Sequence, residues 1–274
     1  MTDDLLIKLK KGQKAFATFC HRRVFKKNRN VIIMITGDPG TGKTLSAFRL
    51  GKELDSEFTK EFIRQDASEI LDIFEMIAKD KKRYTGRVII FEETQENMHR
   101  TKAITVESTS IVSLFAKFRY LNNILIMTTP RQGHLNKDII DYVDIHLSTE
   151  RIFQERKICR LKAKFGKYSE SQKKMYWRFL KVEYPGEPVL KLKYVDCYLP
   201  DKDLIDVYDS KKDEFFLESV ARDRSRIRRK YGTLVPKKTY PHTCPFCKYE
   251  YNARVENPIK CPSCQKKLSH TTTT

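Results

Sequence analysis

The chain has 274 residues, with 54 Lys and Arg against 35 Asp and Glu, a formal net charge of +19 and a pI near 9.6. Its 40% apolar content supports a packed core, so a globular enzyme of one large domain plus a small appendage is expected and a disordered tail is excluded. The longest apolar runs are strand-length, short of the ~20 residues of a membrane span, and the opening Met-Thr-Asp-Asp-Leu-Leu-Ile-Lys has acids where a signal peptide has bases. A cytoplasmic protein, or one of the host cytoplasm if the source is viral, is the expectation.

The charge is unevenly placed. Residues 1–150 hold 25 Lys and Arg against 20 Asp and Glu, a net of +5; residues 151–274 hold 29 against 15, a net of +14. A field of that sign favours a polyanion, nucleic acid before anionic lipid, and assigns it to the rear half. A generally basic, soluble surface is the plain alternative.

In chain order, residues 1–30 read as a helical or irregular lead-in. Val31 to Ile35 form a buried parallel strand, and Gly37-Asp38-Pro39-Gly40-Thr41-Gly42-Lys43-Thr44 follow it directly, opening a helix over 43–56. That is a complete G-x-x-x-x-G-K-[ST] phosphate loop in its strand–loop–helix context. The glycines let the backbone wrap a β-phosphate, Lys43 reaches the β and γ oxygens, and Thr44 offers its hydroxyl to Mg²⁺. ATP and Mg²⁺ are therefore the expected cofactors.

A helix over Ala67–Lys79 leads to a strand at 88–92 that delivers Glu92 and Glu93 at its carboxyl end. Ligands sit at those ends, so Glu92 is assigned to the metal sphere and Glu93 to polarising the attacking water. After a helix over Val106–Phe118, the strand at 123–128 ends in Thr128-Thr129-Pro130-Arg131. Side chains alternate faces along a strand, so one of Thr128 and Thr129 is expected at the γ-phosphate or the attacking water. Arg119 is the first candidate for an arginine acting on a neighbouring subunit, with Arg100 and Arg131 behind it.

Beyond Asp144 the segments Ile158–Phe165, Met175–Tyr184 and Val189–Tyr198 alternate apolar or aromatic residues with Lys and Arg. They read as antiparallel strands extending one sheet edge. A helix opens after Asp201, and a second or continuing helix, Asp213–Lys230, is basic in its last part, from Arg222 to Lys230. Finally, Cys244-Pro-Phe-Cys247 and Cys261-Pro-Ser-Cys264 are two C-x-x-C knuckles thirteen residues apart, the spacing of a structural zinc site. Lys248, Arg254, Lys260, Lys266 and Lys267 place charge beside Tyr249 and Tyr251, which suits a nucleic-acid or protein contact as well as a folding staple. Cys20, Cys159 and Cys197 read as ordinary core thiols.

The expected fold is thus α/β: a P-loop NTPase with a mainly parallel sheet flanked by helices, an antiparallel extension at one edge, and a small C-terminal zinc ribbon. The expected division is 1–30 lead-in, 31–212 ATPase domain (core 31–150, β-rich extension 151–200), 213–238 basic helix and linker, and 239–268 zinc ribbon.

The phosphate loop, the acid pair after Val88–Phe91, Phe118-Arg119-Tyr120 before Ile124–Met127, and Thr-Thr-Pro-Arg-Gln followed by Leu135, Ile139, Ile140, Val143 and His146 together resemble the zonular-occludens-toxin-like ATPases. These are related to filamentous-phage assembly proteins and lie near the FtsK and HerA type DNA translocases. The resemblance covers about residues 30–150. It implies an additional-strand, conserved-glutamate P-loop fold, a homo-oligomeric ring with a hexamer first, and ATP used to move DNA or extrude phage. It also implies Glu93 as the activating acid, Arg119 as the trans arginine, and Thr128 or Thr129 at a position where translocases carry Thr-Gln.

Two departures stand out. Glu92 replaces the usual Asp, and the membrane span that phage-assembly members carry is missing. Together these features predict an ATPase that moves or packages DNA. The rival readings are an ATP-dependent switch or scaffold with a zinc-ribbon docking module, and an assembly or secretion ATPase working with a separate membrane subunit.

Overall fold

The computed structural model describes residues 11–92, 112–113, 115–116, 118–172, 174–183, 188–231, 240–253 and 258–268. The chain divides into two compact units, residues 1–208 and 209–274.

The first unit is built on one nine-stranded sheet. Its strands are β1 (Val31–Thr36), β2 (Ile63–Arg64), β3 (Val88–Phe91), β4 (Ile124–Thr129), β5 (Ile145–Phe153), β6 (Ile158–Ser169), β7 (Lys174–Val182), β8 (Leu190–Leu192) and β9 (Tyr194–Tyr198). They lie in the order β2-β3-β4-β1-β5-β6-β7-β8, with β9 also paired to β6. The pairings from β2 to β5 are parallel, and those made by β6 to β9 are antiparallel.

The sequence explains that division. β1, β3 and β4 are unbroken apolar runs, buried at every position, as strands covered on both faces require. From β5 onward buried and half-buried residues alternate, and the outer part of β5 is exposed. Val31 and Val88 both pair with Ile124, so β1, β4 and β3 bring their carboxyl ends level, with β4 between the phosphate-loop strand and the acid-bearing strand.

The helices flank this sheet. Helix α1 (Lys11–His21) buries Ala15, Phe16, Ala17 and Cys20 and runs into a π-helical turn, Arg22–Lys26. Helix α2 (Lys43–Leu54) follows the phosphate loop. Helix α3 (Ala67–Lys79) coincides with its predicted span because a capping box sets its start: the Asp66 carboxylate accepts from Ser68 N at 2.8 Å, and Glu69 reaches back to Asp66 N. Also described are the short helices α4 (Lys81–Tyr84) and α5 (Lys137–Ile140) and, separately, the long α6 (Lys202–Tyr231). Of the helix expected over 106–118, residues 112–113, 115–116 and 118 are helical, with Phe115 and Phe118 buried; the remainder lies outside the described residues.

One expectation about the extension is corrected. The predicted single strand Val189–Tyr198 is two strands, because the chain leaves β7 at Leu192 and joins β6 at Tyr194. Lys193 stands at the crossing, where its carbonyl accepts from Ala163 N at 2.9 Å. Of the two readings open for the basic segment, a second helix or a continuing one, the structure shows the continuing one, unbroken from Lys202 to Tyr231. In the second unit, β10 (Tyr240–Thr243) pairs antiparallel with β11 (Glu250–Ala253).

Candidate active site

The phosphate loop spans the end of β1 and the start of α2. Gly40 and Gly42 hold φ of +77° and +79°, a left-handed backbone that side chains resist. Gly37 is needed for space: a Cβ there would overlap Thr149 and come within 2.7 Å of Thr41 Oγ1. Gly42 is the N-cap of α2 and supplies no side-chain cap, so the first N–H groups of the helix face the loop with its dipole behind them. Lys43 Nζ donates to the Asp38 carbonyl at 2.9 Å, and Thr41 Oγ1 donates to the same oxygen at 2.7 Å.

Glu92 lies one residue past β3 and is 2% exposed. Thr44 Oγ1 donates to its Oε1, and Gln65 Nε2 donates to its Oε2 at 3.0 Å. Gln65 is in place because Glu92 N bonds the carbonyl of Arg64 at the end of β2, at 2.8 Å. The sequence reading missed Gln65; a two-residue strand leaves no periodicity to find.

The two threonines of β4 are separated by the pleat. Thr128 pairs with Ile35 and shares its face with Leu147 and, one residue past the Phe91–Met127 pair, with Glu92. Gly37 and Thr149 continue that face. Thr129 pairs with Thr36 on the opposite face, and its hydroxyl donates to the Arg131 carbonyl at 3.4 Å. The geometry therefore groups Thr128, not Thr129, with the phosphate loop and Glu92.

Two more residues that sequence reading passed over touch the loop. Thr149 Oγ1 donates to Thr41 Oγ1 at 3.1 Å, and Cys159 Sγ donates to the Thr41 carbonyl at 3.4 Å. Cys159 faces Cys197 directly across β6 and β9, and burial raises both thiols above their ordinary range, which keeps them protonated. Both read as ordinary core thiols from the sequence; Cys159 touches the loop and Cys197 backs it across the ladder.

Of the remaining candidates, Glu93 and Arg100 lie outside the described residues. Arg119 begins a 3-10 turn, Arg119–Leu121, that leads into β4, and its side chain is likewise outside them. Arg131 is exposed just before the 3-10 turn Gln132–His134.

On the far face, Thr36 Oγ1 and His146 Nε2 are hydrogen-bonded at 2.8 Å, with the Trp177 ring 5.2 Å from the imidazole. Burial, with Lys164 nearby, lowers His146 from 6.5 to about 4. The unfolded chain thus takes up a proton that the folded unit refuses. The stability held by the neutral ring is full above pH 6.5 and is lost as pH falls through 4, on the order of 3 kcal/mol in all. Denaturant titrations at about pH 7 and pH 4.5 are expected to show a smaller acid loss for His146→Gln than for the unaltered protein. Equal losses would show that His146 is not the group responsible.

In the second unit, the sulfurs of Cys244, Cys247, Cys261 and Cys264 all lie within 4.8 Å of one another. Two matching turns hold them. Cys244 N and Cys261 N bond the carbonyls of Tyr249 and Lys266 at 3.0 and 3.1 Å, while Lys248 and Gln265 take φ of +60° and +58°. Tyr249 stacks on Tyr251 with ring centres 6.2 Å apart, and Lys266 sits 5.2 Å over the Phe246 ring.

Comparison with known proteins agrees with this geometry at the level of the domain. The profile of the ATPase family associated with various cellular activities (AAA) matches residues 33–151. No curated protein matches the chain. Among solved structures, the chain is similar to the N-terminal domain of zonular occludens toxin from Neisseria meningitidis, at 18% identity over 56% of this chain and 95% of that one, with a TM-score of 0.36. It is also similar to a chain of the HORMA:CdnC:Trip13 complex of E. coli MS115-1, at 11% identity over 56% and 68%, with a TM-score of 0.40. A third is the genome packaging NTPase B204 of Sulfolobus turreted icosahedral virus 2 in complex with ATP-gammaS, at 14% identity over 54% and 96%, with a TM-score of 0.32. The phosphate loop on β1, the buried acid across β4 from it and the profile match make residues 33–151 an AAA-type P-loop ATPase domain, and the chain an ATP-hydrolysing enzyme.

Proposed function

We propose that the protein is a cytoplasmic motor that uses ATP hydrolysis to move or package DNA, working as a homo-oligomeric ring, with a hexamer first. The observation that carries the reading is the charge division: a near-neutral half, +5, bearing the phosphate loop, joined to a half of +14. The sequence resemblance of the 88–146 block adds the ring and the DNA. Among the described residues no helix is long and apolar enough to cross a membrane.

The roles follow from the chemistry of the side chains. Residues 37–44 bind the phosphates, with Lys43 on the β and γ oxygens. The Thr44 hydroxyl and Glu92 carboxylate form an all-oxygen pair suited to a hard cation, so Mg²⁺ is assigned there. Bound Mg²⁺ neutralises charge on the transferring phosphoryl group. Gln65 orients Glu92, Glu93 polarises the attacking water, Thr128 contacts the γ-phosphate from the shared face, and Arg119 serves a neighbouring subunit.

Zinc is assigned to the four cysteines as a structural ion. Their sulfur pairs Cys244–Cys264 and Cys247–Cys261 are 3.7 Å apart. The edge of a tetrahedron with Zn–S bonds of ~2.3 Å is about 3.8 Å, so the sulfurs fit the ion.

Steady-state turnover measured alone, with single-stranded DNA and with double-stranded DNA tests the motor reading. Several-fold stimulation is expected; slow, indifferent turnover would replace the motor with a nucleotide switch.

A further inference from the structure

We propose a nucleic-acid groove on the ATPase unit itself, between the Arg22–Lys26 turn with Lys27 and the β6–β7 ribbon, that grips the phosphates of a single strand and stacks its bases. The inference rests on the reading that the partner is nucleic acid, and adds where the strand lies.

The groove encloses about 360 Å³, within the ~300–1,000 Å³ usual for ligand sites. Its walls hold six cations and one carboxylate, that of Glu183. Arg23 is paired with Asp144 and lies 5.5 Å over the Phe165 ring. Arg22 donates to the Glu183 backbone carbonyl, and among the described residues no carboxylate forms an ion pair with it. Among the described residues no carboxylate forms an ion pair with Lys27, Lys167 or Arg178. Six cations against Glu183 and the Asp144 partner of Arg23 leave the walls positive, and a bound polyanion relieves the remaining repulsion.

The ribbon narrows the class of anion. Phe165 pairs with Arg178, Lys167 with Tyr176, and Ser169 with Lys174, and cross-strand partners share a face. On that face the Tyr176 ring has Lys167 across the ladder and Lys174 and Arg178 a step of two residues, ~6.8 Å, to either side. Lys167, Lys174, Tyr176 and Arg178 are exposed. A lipid surface would need only the charge, whereas an exposed ring set among cations at this step suits a base between the phosphates of an extended strand.

Anisotropy titrations of the full chain with labelled oligothymidylate, its duplex counterpart and phosphatidylserine vesicles, each at several salt concentrations, test the proposal. The Lys167→Ala/Arg178→Ala double variant is expected to lower the single-strand salt slope by about 1.4. Tyr176→Ala is expected to weaken that binding about tenfold, with Tyr176→Phe near the unaltered protein. Turnover without DNA and thermal unfolding are expected to stay unchanged in all three. Unchanged slope and affinity in the double variant, equal binding of duplex with no effect of Tyr176→Ala, or binding of vesicles in place of oligonucleotide would each overturn the groove. Failure of the unaltered protein to bind any oligonucleotide would overturn the groove and the DNA reading together, whereas binding that ignores these substitutions sinks the groove alone.

Discussion

Lys43→Ala is expected to cut ATP turnover by about 10²–10³-fold while the unfolding temperature barely moves. The side chain is half-buried and donates to the Asp38 carbonyl within its own loop, so its removal leaves the sheet and its core intact. In the proposed role, what is lost is a positive charge at the developing phosphoryl charge, and fixed donors at such positions carry factors of that size. Thr44→Ala is the informative companion. It takes one donor from Glu92, which is 2% exposed, so it costs stability as well as turnover, about 1–3 kcal/mol for a buried polar group left short of a partner. Phosphate release and thermal melts on both variants separate the two effects. Turnover above about a tenth of normal in Lys43→Ala would remove the lysine from the reaction.

Cys261→Ser, or removal of metal by a strong chelator, is expected to unfold the segment 240–268 and leave hydrolysis by the first unit in place. The hairpin of β10 and β11 is four residues a side, and among the described residues around it the buried ones are few: Cys244, Ala253, Pro258 and Cys261. A core that small does not fold alone, whereas structural zinc contributes about 10–16 kcal/mol of apparent binding energy at neutral pH. Zinc content by elemental analysis is expected at one ion per chain and none in Cys261→Ser, with hydrogen exchange at 240–268 rising to that of unfolded peptide. Retained protection without zinc would make the cluster something other than a metal centre.

The parts of this structure that were legible in the sequence are those with local signatures. β1, β3 and β4 are continuous apolar runs, and the phosphate loop and cysteine knuckles have fixed spacings that local backbone geometry enforces. The α3 boundaries were readable because Asp66 and Glu69 cap it. What was not legible depends on pairing between distant segments. β2 is two residues long, yet it sets Gln65 on Glu92. β5, Ile-His-Leu-Ser-Thr-Glu-Arg-Ile-Phe, loses its alternation beyond Leu147 and was not read as a strand, so the contact of Thr149 with the loop was hidden. The choice of Thr128 over Thr129 needed the register of β4 against β1 and β3. The basic groove joins residue 27 to residues 165–178, a juxtaposition that no window of sequence contains.

The coupling of hydrolysis to DNA is read most directly from kcat as a function of single-stranded DNA concentration, with binding followed in the same samples. A saturable rise of several-fold, with its midpoint at the binding constant and absent in Lys43→Ala, is the predicted result. A kcat that stays flat while the DNA is demonstrably bound would contradict the account.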